Sequence, residues 1–173
     1  MSPLDSLYAS FADDRFRVRV EPVEADGVPG PYRELLVHTQ HMTVTVEAYF
    51  NDAVDVEVHE VARSGRQYAR KITLRLRHGK KVVQFGVVAV DLDALDPAVA
   101  AGIVAGDTPL GRVLIEHDVL REVRPVQFFR LALPADLAGV MGVPAGSVTY
   151  GRLGVITADG KPAVRVAEIL TPI

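Results

Sequence analysis

The sequence predicts an α+β fold, a single antiparallel sheet of about six strands with helices packed against it. From Thr43 onward, short segments alternate apolar and polar residues, the period of a strand with one buried face. Turn pairs separate those segments at Asn51-Asp52, Ser64-Gly65, His78-Gly79 and Asp159-Gly160. Such short connections join neighbouring strands as hairpins, which makes the sheet antiparallel.

Composition bounds the function. At 173 residues, with no internal repeat, low-complexity tract or linker, residues 1–173 are expected to form one domain with its own core. Apolar residues make up 49% and charged residues 24%, ordinary for a globular protein, and the net charge of −3 offers no basic footprint for nucleic acid. The chain has no cysteine, which removes disulfides, thiolate metal sites and thiol nucleophiles and fits a reducing cytoplasm, the expected location. No N-terminal apolar run has signal-peptide length, and no segment approaches the roughly 20 apolar residues of a membrane span.

In chain order, Pro3 to Ala12 sets Leu4, Leu7, Tyr8 and Phe11 on one stripe, an amphipathic helix. Phe16 to Val20 alternates and is expected as a short strand. Glu21 to Pro31, with three prolines and two glycines, is a loop. Tyr32 to Gln40 is read as a helix, with Leu35 and Leu36 facing inward and Pro31 near its first turn. Thr43 to Phe50 sets Val44, Val46 and Ala48 against Thr43, Thr45 and Glu47, and is expected as a strand.

Val54, Val56 and Val58 alternate with Asp55, Glu57 and His59, a half-buried strand. Gln67 to Arg77 and Val82 to Leu92 extend the chain of hairpins. Asp93 to Ala105 is a helix with Asp93 as its N-cap, Leu95, Val99 and Ile103 on one face, and Gly106 as its stop. Thr108 to Arg112 is a compact turn connecting that helix to Val113-Leu114-Ile115. Val119 to Leu133 is a strand or a long bent pair interrupted at Pro125, and Asp136 to Met141 a short helix or loop segment. Val148 to Thr157 and Ala163 to Leu170 close the sheet as a hairpin.

Two charged residues break the alternation. Tyr68, Ile72, Leu74 and Leu76 share one face of their strand and Lys71, Thr73, Arg75 and Arg77 the other, but Arg70 falls in phase with the apolar set. A buried guanidinium cannot shed its proton and needs an anion or a wet cavity. On the final strand Glu168 likewise shares a face with Val164, Val166 and Leu170. The two can neutralise each other as a structural pair, or face one cavity with a small acid between them. The second arrangement supplies an anion anchor plus an acid or base.

Other constellations carry less. His38 and His41, spaced i,i+3, lack an evident third metal ligand, and no metal is expected. Asp91, Asp93 and Asp96 sit at a strand-to-helix junction, where capping explains them better than calcium. Exposed N–H groups in the Thr108 to Arg112 turn can hold a carboxylate.

Three separated segments resemble chorismate pyruvate-lyase, the 4-hydroxybenzoate synthase family. They are Met42-Thr43-Val44 with Glu47, then Tyr68-Ala69-Arg70-Lys71-Ile72-Thr73-Leu74 followed by Phe85-Gly86, then Thr108-Pro109-Leu110-Gly111-Arg112. The closing Glu168-Ile169-Leu170-Thr171-Pro172 also resembles the family's end. His41 stands where that family has serine, Val113-Leu114-Ile115 replaces its Tyr-Leu-Phe, and Val119 to Pro144 departs from its pattern.

The resemblance implies a chorismate lyase-like sheet with helices on one side and the ligand under two flaps. It implies a cofactor-independent lyase converting chorismate to 4-hydroxybenzoate and pyruvate. Arg70 and Glu168 would be its catalytic pair, Arg70 binding the ring carboxylate with help from the backbone N–H groups of Met42 and Leu110. Glu168 would sit at the opposite end of the ring, near the ether oxygen and C4. The Pro-Leu-Gly-Arg motif is similar to that of UTRA-like sensor domains of transcription regulators, so the alternative is a module that binds an aromatic or sugar-like acid without turnover. No helix-turn-helix segment is evident upstream, so a complete regulator is not expected.

Overall fold

Positive-φ residues set the turns. Gly65 and the Asp159-Gly160 pair adopt left-handed φ values of 57°, 50° and 79°, which suits tight hairpins whose twist matches the flanking strands. The computed structural model, covering residues 1–173, contains strands β1 (Glu21–Val23), β2 (Val54–Ser64), β3 (Gln67–Leu76), β4 (Val82–Asp91), β5 (Arg121–Ala132), β6 (Val148–Ala158) and β7 (Lys161–Leu170). Its helices are α1 (Pro3–Tyr8), α2 (Tyr32–Leu36), α3 (Met42–Phe50), α4 (Pro97–Ala105), α5 (Leu110–Glu116) and α6 (Ala135–Met141).

The strands form one seven-stranded sheet in the order β1-β5-β6-β7-β4-β3-β2, with every neighbouring pair antiparallel. The fold is therefore the expected α+β single antiparallel sheet. Pairing of β4 with β7 brings the middle of the chain against its end, so Gly86 lies between Ile72 on β3 and Glu168 on β7.

Several local expectations change. Thr43 to Phe50 is helical, not a strand: the buried positions Met42, Thr43 and Val46 lie on one helical face while Val44 points outward. Packing against the sheet outweighs the β preference of its valines and threonines. Phe16 to Val20 forms no strand; β1 lies instead at Glu21–Val23, inside the stretch read as a loop. The helix from Tyr32 ends at Leu36, the first cap of α4 is Asp96 and not Asp93, and residues from Leu110 onward form α5 in place of a turn into a strand. Within Val119 to Leu133 lies one long strand, β5 (Arg121–Ala132), whose register shifts between Pro125 and Gln127.

Helices cover both faces of the sheet rather than one. Helices α2 and α3 pack on Ile72, Leu74 and Val83, and α4 and α5 on Val88, Val164 and Val166. The opposite face is covered by α1, α6 and the connecting segment through Phe16, against Phe85, Val87, Phe129 and Ile169. Both faces of β3 are consequently buried, including Lys71 and Thr73, which the alternation had placed on an outer face.

Lys71 has no exposed surface and is met by the N-terminal segment. Its Nζ lies 2.7 Å from Glu60 and 3.3 Å from Asp13, donates to the Arg15 carbonyl at 2.8 Å, and sits 4.7 Å from the Phe11 ring centre. Removing one partner of a buried pair strands the other charge, whereas removing both leaves an apolar contact. Glu60→Leu is thus expected to cost about 3 kcal/mol. Adding Lys71→Met should recover most of the loss, as measured by urea unfolding of the single and double variants.

Candidate functional site

A cavity of about 50 Å³ lies on the α2–α5 face. Its floor comes from β3, β4 and β7, and its roof from the first residues of α3 and α5. Arg70, Glu168, Met42 and Leu110, the residues singled out from the sequence, all line it.

Arg70 occupies the floor opposite Val88 on β4 and is 1% exposed. Its two terminal nitrogens donate to the carbonyls of Ile103 at 3.1 Å and Thr108 at 3.4 Å, at the end of α4 and in the segment after it. The end of a helix favours a cation, which helps retain the guanidinium there. No carboxylate pairs with Arg70, and its Nε has no partner. Burial weakens its hold on its proton relative to an exposed arginine. A cation so desolvated gains strongly from an anion in the cavity.

Glu168 is engaged elsewhere. Its Oε2 accepts from Arg152 Nε at 2.6 Å across the β6–β7 pair. Arg152 is itself 1% exposed, and donates further to the carbonyls of Leu36, His38 and Gln40. The Arg152–Glu168 pair thereby pins the connection between α2 and α3. Because its bonded oxygen is taken by Arg152, Glu168 does not pair with Arg70. Their Cα positions are separated by two strand spacings and two residues, about 12 Å. Arg152 was overlooked in the sequence, yet the signal was present: it shares parity with Ile156 on an alternating strand, as Arg70 does with Ile72.

The roof depends on a close approach. A Cβ on Gly111 would lie 3.0 Å from His41 Cβ and 3.2 Å from Thr43 Oγ1, so glycine allows the starts of α3 and α5 to touch. An Arg112–Glu47 ion pair ties the two helices together. Met42 and Leu110 open these helices, so their N–H groups have no carbonyl within the helix to serve. On the floor, Gly86 keeps space beside Ile72, whose Cδ1 a Cβ would approach to 3.2 Å.

The two histidines do not share a helix. His38 uses both ring nitrogens locally: its Nδ1 accepts from the Gln40 N–H at 3.1 Å, which leaves Nε2–H to donate to the Leu35 carbonyl at 2.7 Å. His41 directly precedes α3 and is 6% exposed, between the cavity and an open groove of about 710 Å³ that also touches Val44, Ile115 and Arg121. Asp91 accepts from the Asp93 N–H and approaches Arg66, serving as a turn cap.

Burial, reinforced by Arg121 and Arg152, lowers the His41 pKa to about 4, so the ring is neutral at pH 7. The unfolded chain, with a histidine of ordinary pKa near 6.5, binds more protons between those values. Stability from His41 is therefore full above about pH 6.5 and falls as pH drops toward 4, by about 3 kcal/mol in total. His38 and His59 are lowered by burial as well and act in the same direction. Urea unfolding at pH 7 and pH 4.5 should show a smaller acid loss for His41→Gln than for the unaltered chain.

No family model and no curated protein matches the sequence. Among solved structures, PhnF from Mycobacterium smegmatis matches 96% of this chain and 78% of its own, with TM-score 0.59 and 10% identity. A candidate GntR-family transcriptional regulator matches 79% of this chain and 64% of its own, with TM-score 0.56 and 16% identity. A gene product of Staphylococcus aureus matches 68% and 82%, with TM-score 0.51 and 9% identity. At these identities the likeness establishes the fold: the chain has the seven-stranded sheet and helices of the chorismate lyase-like, UTRA-type fold.

Proposed function

We propose that this chain is a binding domain for a small organic monoanion, whose carboxylate is held by Arg70. The carrying observation is a charge imbalance. Arg70 and Arg152 are both buried, but one carboxylate, Glu168, serves the pair, and it is bonded to Arg152. His41 is neutral at pH 7. One negative charge is missing, and a ligand carboxylate supplies it. Free N–H groups of Met42 and Leu110 on the roof add donors to such an anion.

The fold shared with a candidate GntR-family regulator supports a sensor role over catalysis. A cavity of about 50 Å³ is far below the roughly 300 Å³ of a typical ligand pocket, so admitting a ring requires α3 and α5 to part. Their re-closure over a ligand is a ready signal of occupancy.

A second reading, the chorismate lyase, is favoured by Arg70 and Glu168 lining one cavity. Two points weigh against it. The Oε2 of Glu168 is committed to Arg152 at 2.6 Å, and chorismate brings two carboxylates to a site with one uncompensated cation.

The binding reading predicts that 4-hydroxybenzoate or a similar monoanion raises the melting temperature, and that chorismate incubation releases no pyruvate. Arg70→Ala should weaken acid binding at least thirtyfold, about 2 kcal/mol or more, because it removes a desolvated charge partner. Glu168→Gln should mainly destabilise the fold, by about 3 kcal/mol, by leaving Arg152 unpaired. Pyruvate release by the unaltered chain, lost in a folded Glu168→Gln variant, would replace this reading with the lyase.

A further inference from the structure

The buried polar atoms without a protein partner are concentrated. Apart from Glu60 Oε2, which meets Lys71, there are four such side-chain atoms, and three of them, His41 Nε2, Arg70 Nε and Gln84 Oε1, belong to residues lining this one cavity. Arg70 is the anchor, and His41 faces the outer groove as well. Gln84 belongs to neither role. It is 3% exposed, and its flanking residues across the sheet are Leu74 and Leu170, which offer its amide no hydrogen bond. Buried amides are normally paired, so an unpaired one facing a cavity points to a ligand group.

We infer that Gln84 is a specificity-determining residue, which recognises a neutral hydroxyl or amide at the end of the ligand opposite its carboxylate. The inference rests on Arg70 being the anion anchor. A carboxamide both donates and accepts, and it carries no charge. It therefore matches a hydroxyl or amide and disfavours a second carboxylate.

Gln84 pairs with Leu74, four positions along β3 from Arg70, so the two backbones lie roughly 13 Å apart at about 3.3 Å per residue. The two residues therefore stand at opposite ends of the cavity floor. Between them lie Ile72, Val88 and Val166, with Glu168 beside Gly86 and its Oε2 held by Arg152. The ligand class is thus a small monocarboxylic acid with a largely apolar body and a neutral hydrogen-bonding group at its far end.

The test compares benzoate, 4-hydroxybenzoate and 4-carbamoylbenzoate by calorimetry on the full chain and on Gln84→Met, which keeps side-chain length without the amide. Expected is a preference of about tenfold or more for the two substituted acids over benzoate in the unaltered chain. Gln84→Met should abolish that preference, bringing the two substituted acids down to the affinity that the same variant has for benzoate. Gln84→Leu serves in the same role should the methionine variant melt below the assay temperature. Equal affinity for all three acids in the unaltered chain, or equal weakening of all three by Gln84→Met, overturns the role of Gln84 and leaves the anchor standing. Arg70→Ala separates the two ideas: undiminished benzoate binding there overturns the anchor and, with it, the ligand orientation inferred here. Failure of the unaltered chain to bind any of the three overturns both.

Discussion

Two buried guanidiniums and one carboxylate set the character of this molecule. Arg152 takes Glu168 and three backbone carbonyls, and is thereby a structural cation that holds the α2–α3 connection against the sheet. Arg70 has two carbonyls and no counterion. Carbonyl dipoles make its burial tolerable without neutralising it. The same desolvation that makes this arrangement costly makes an incoming anion's contact strong.

The rest of the site follows from how the cavity is roofed. Gly111 lets the starts of α3 and α5 meet over Arg70, and the Arg112–Glu47 pair links the helices a turn further on. The first residues of both helices then line the same cavity as a desolvated cation. On the opposite face Lys71, just as deeply buried as Arg70, is compensated by Glu60, Asp13 and backbone carbonyls. Comparison of the two cations on one strand shows why the first reads as a binding group and the second as a fastening for the N-terminal segment.

Misreadings of the sequence share a cause. Alternation over Thr43 to Phe50 is genuine, but a nine-residue helix with Met42 and Val46 inward satisfies the same residues, and only the neighbouring sheet face selects it. Lys71 and Thr73 looked solvated because their strand was assumed to have one buried side. A polar residue read from periodicity alone gives no sign that a distant segment will cover it. Resemblance to the lyase family singled out residues that line one cavity, yet it could not show that Glu168 is occupied by Arg152, since that pairing depends on the β6–β7 register.

By itself the sequence determined the antiparallel hairpins, the single sheet, and the identity of Arg70 and Glu168 as inward-facing charges. Those features follow from local rules: period-two alternation, turn residues with left-handed φ, and the cost of placing a charge among apolar neighbours. Tertiary structure decided which charge partners which, that helices cover both faces, and that Gln84 joins the cavity wall. These depend on the β4–β7 and β6–β7 registers and on the meeting of helices with the sheet and of α3 with α5, contacts that no local pattern encodes.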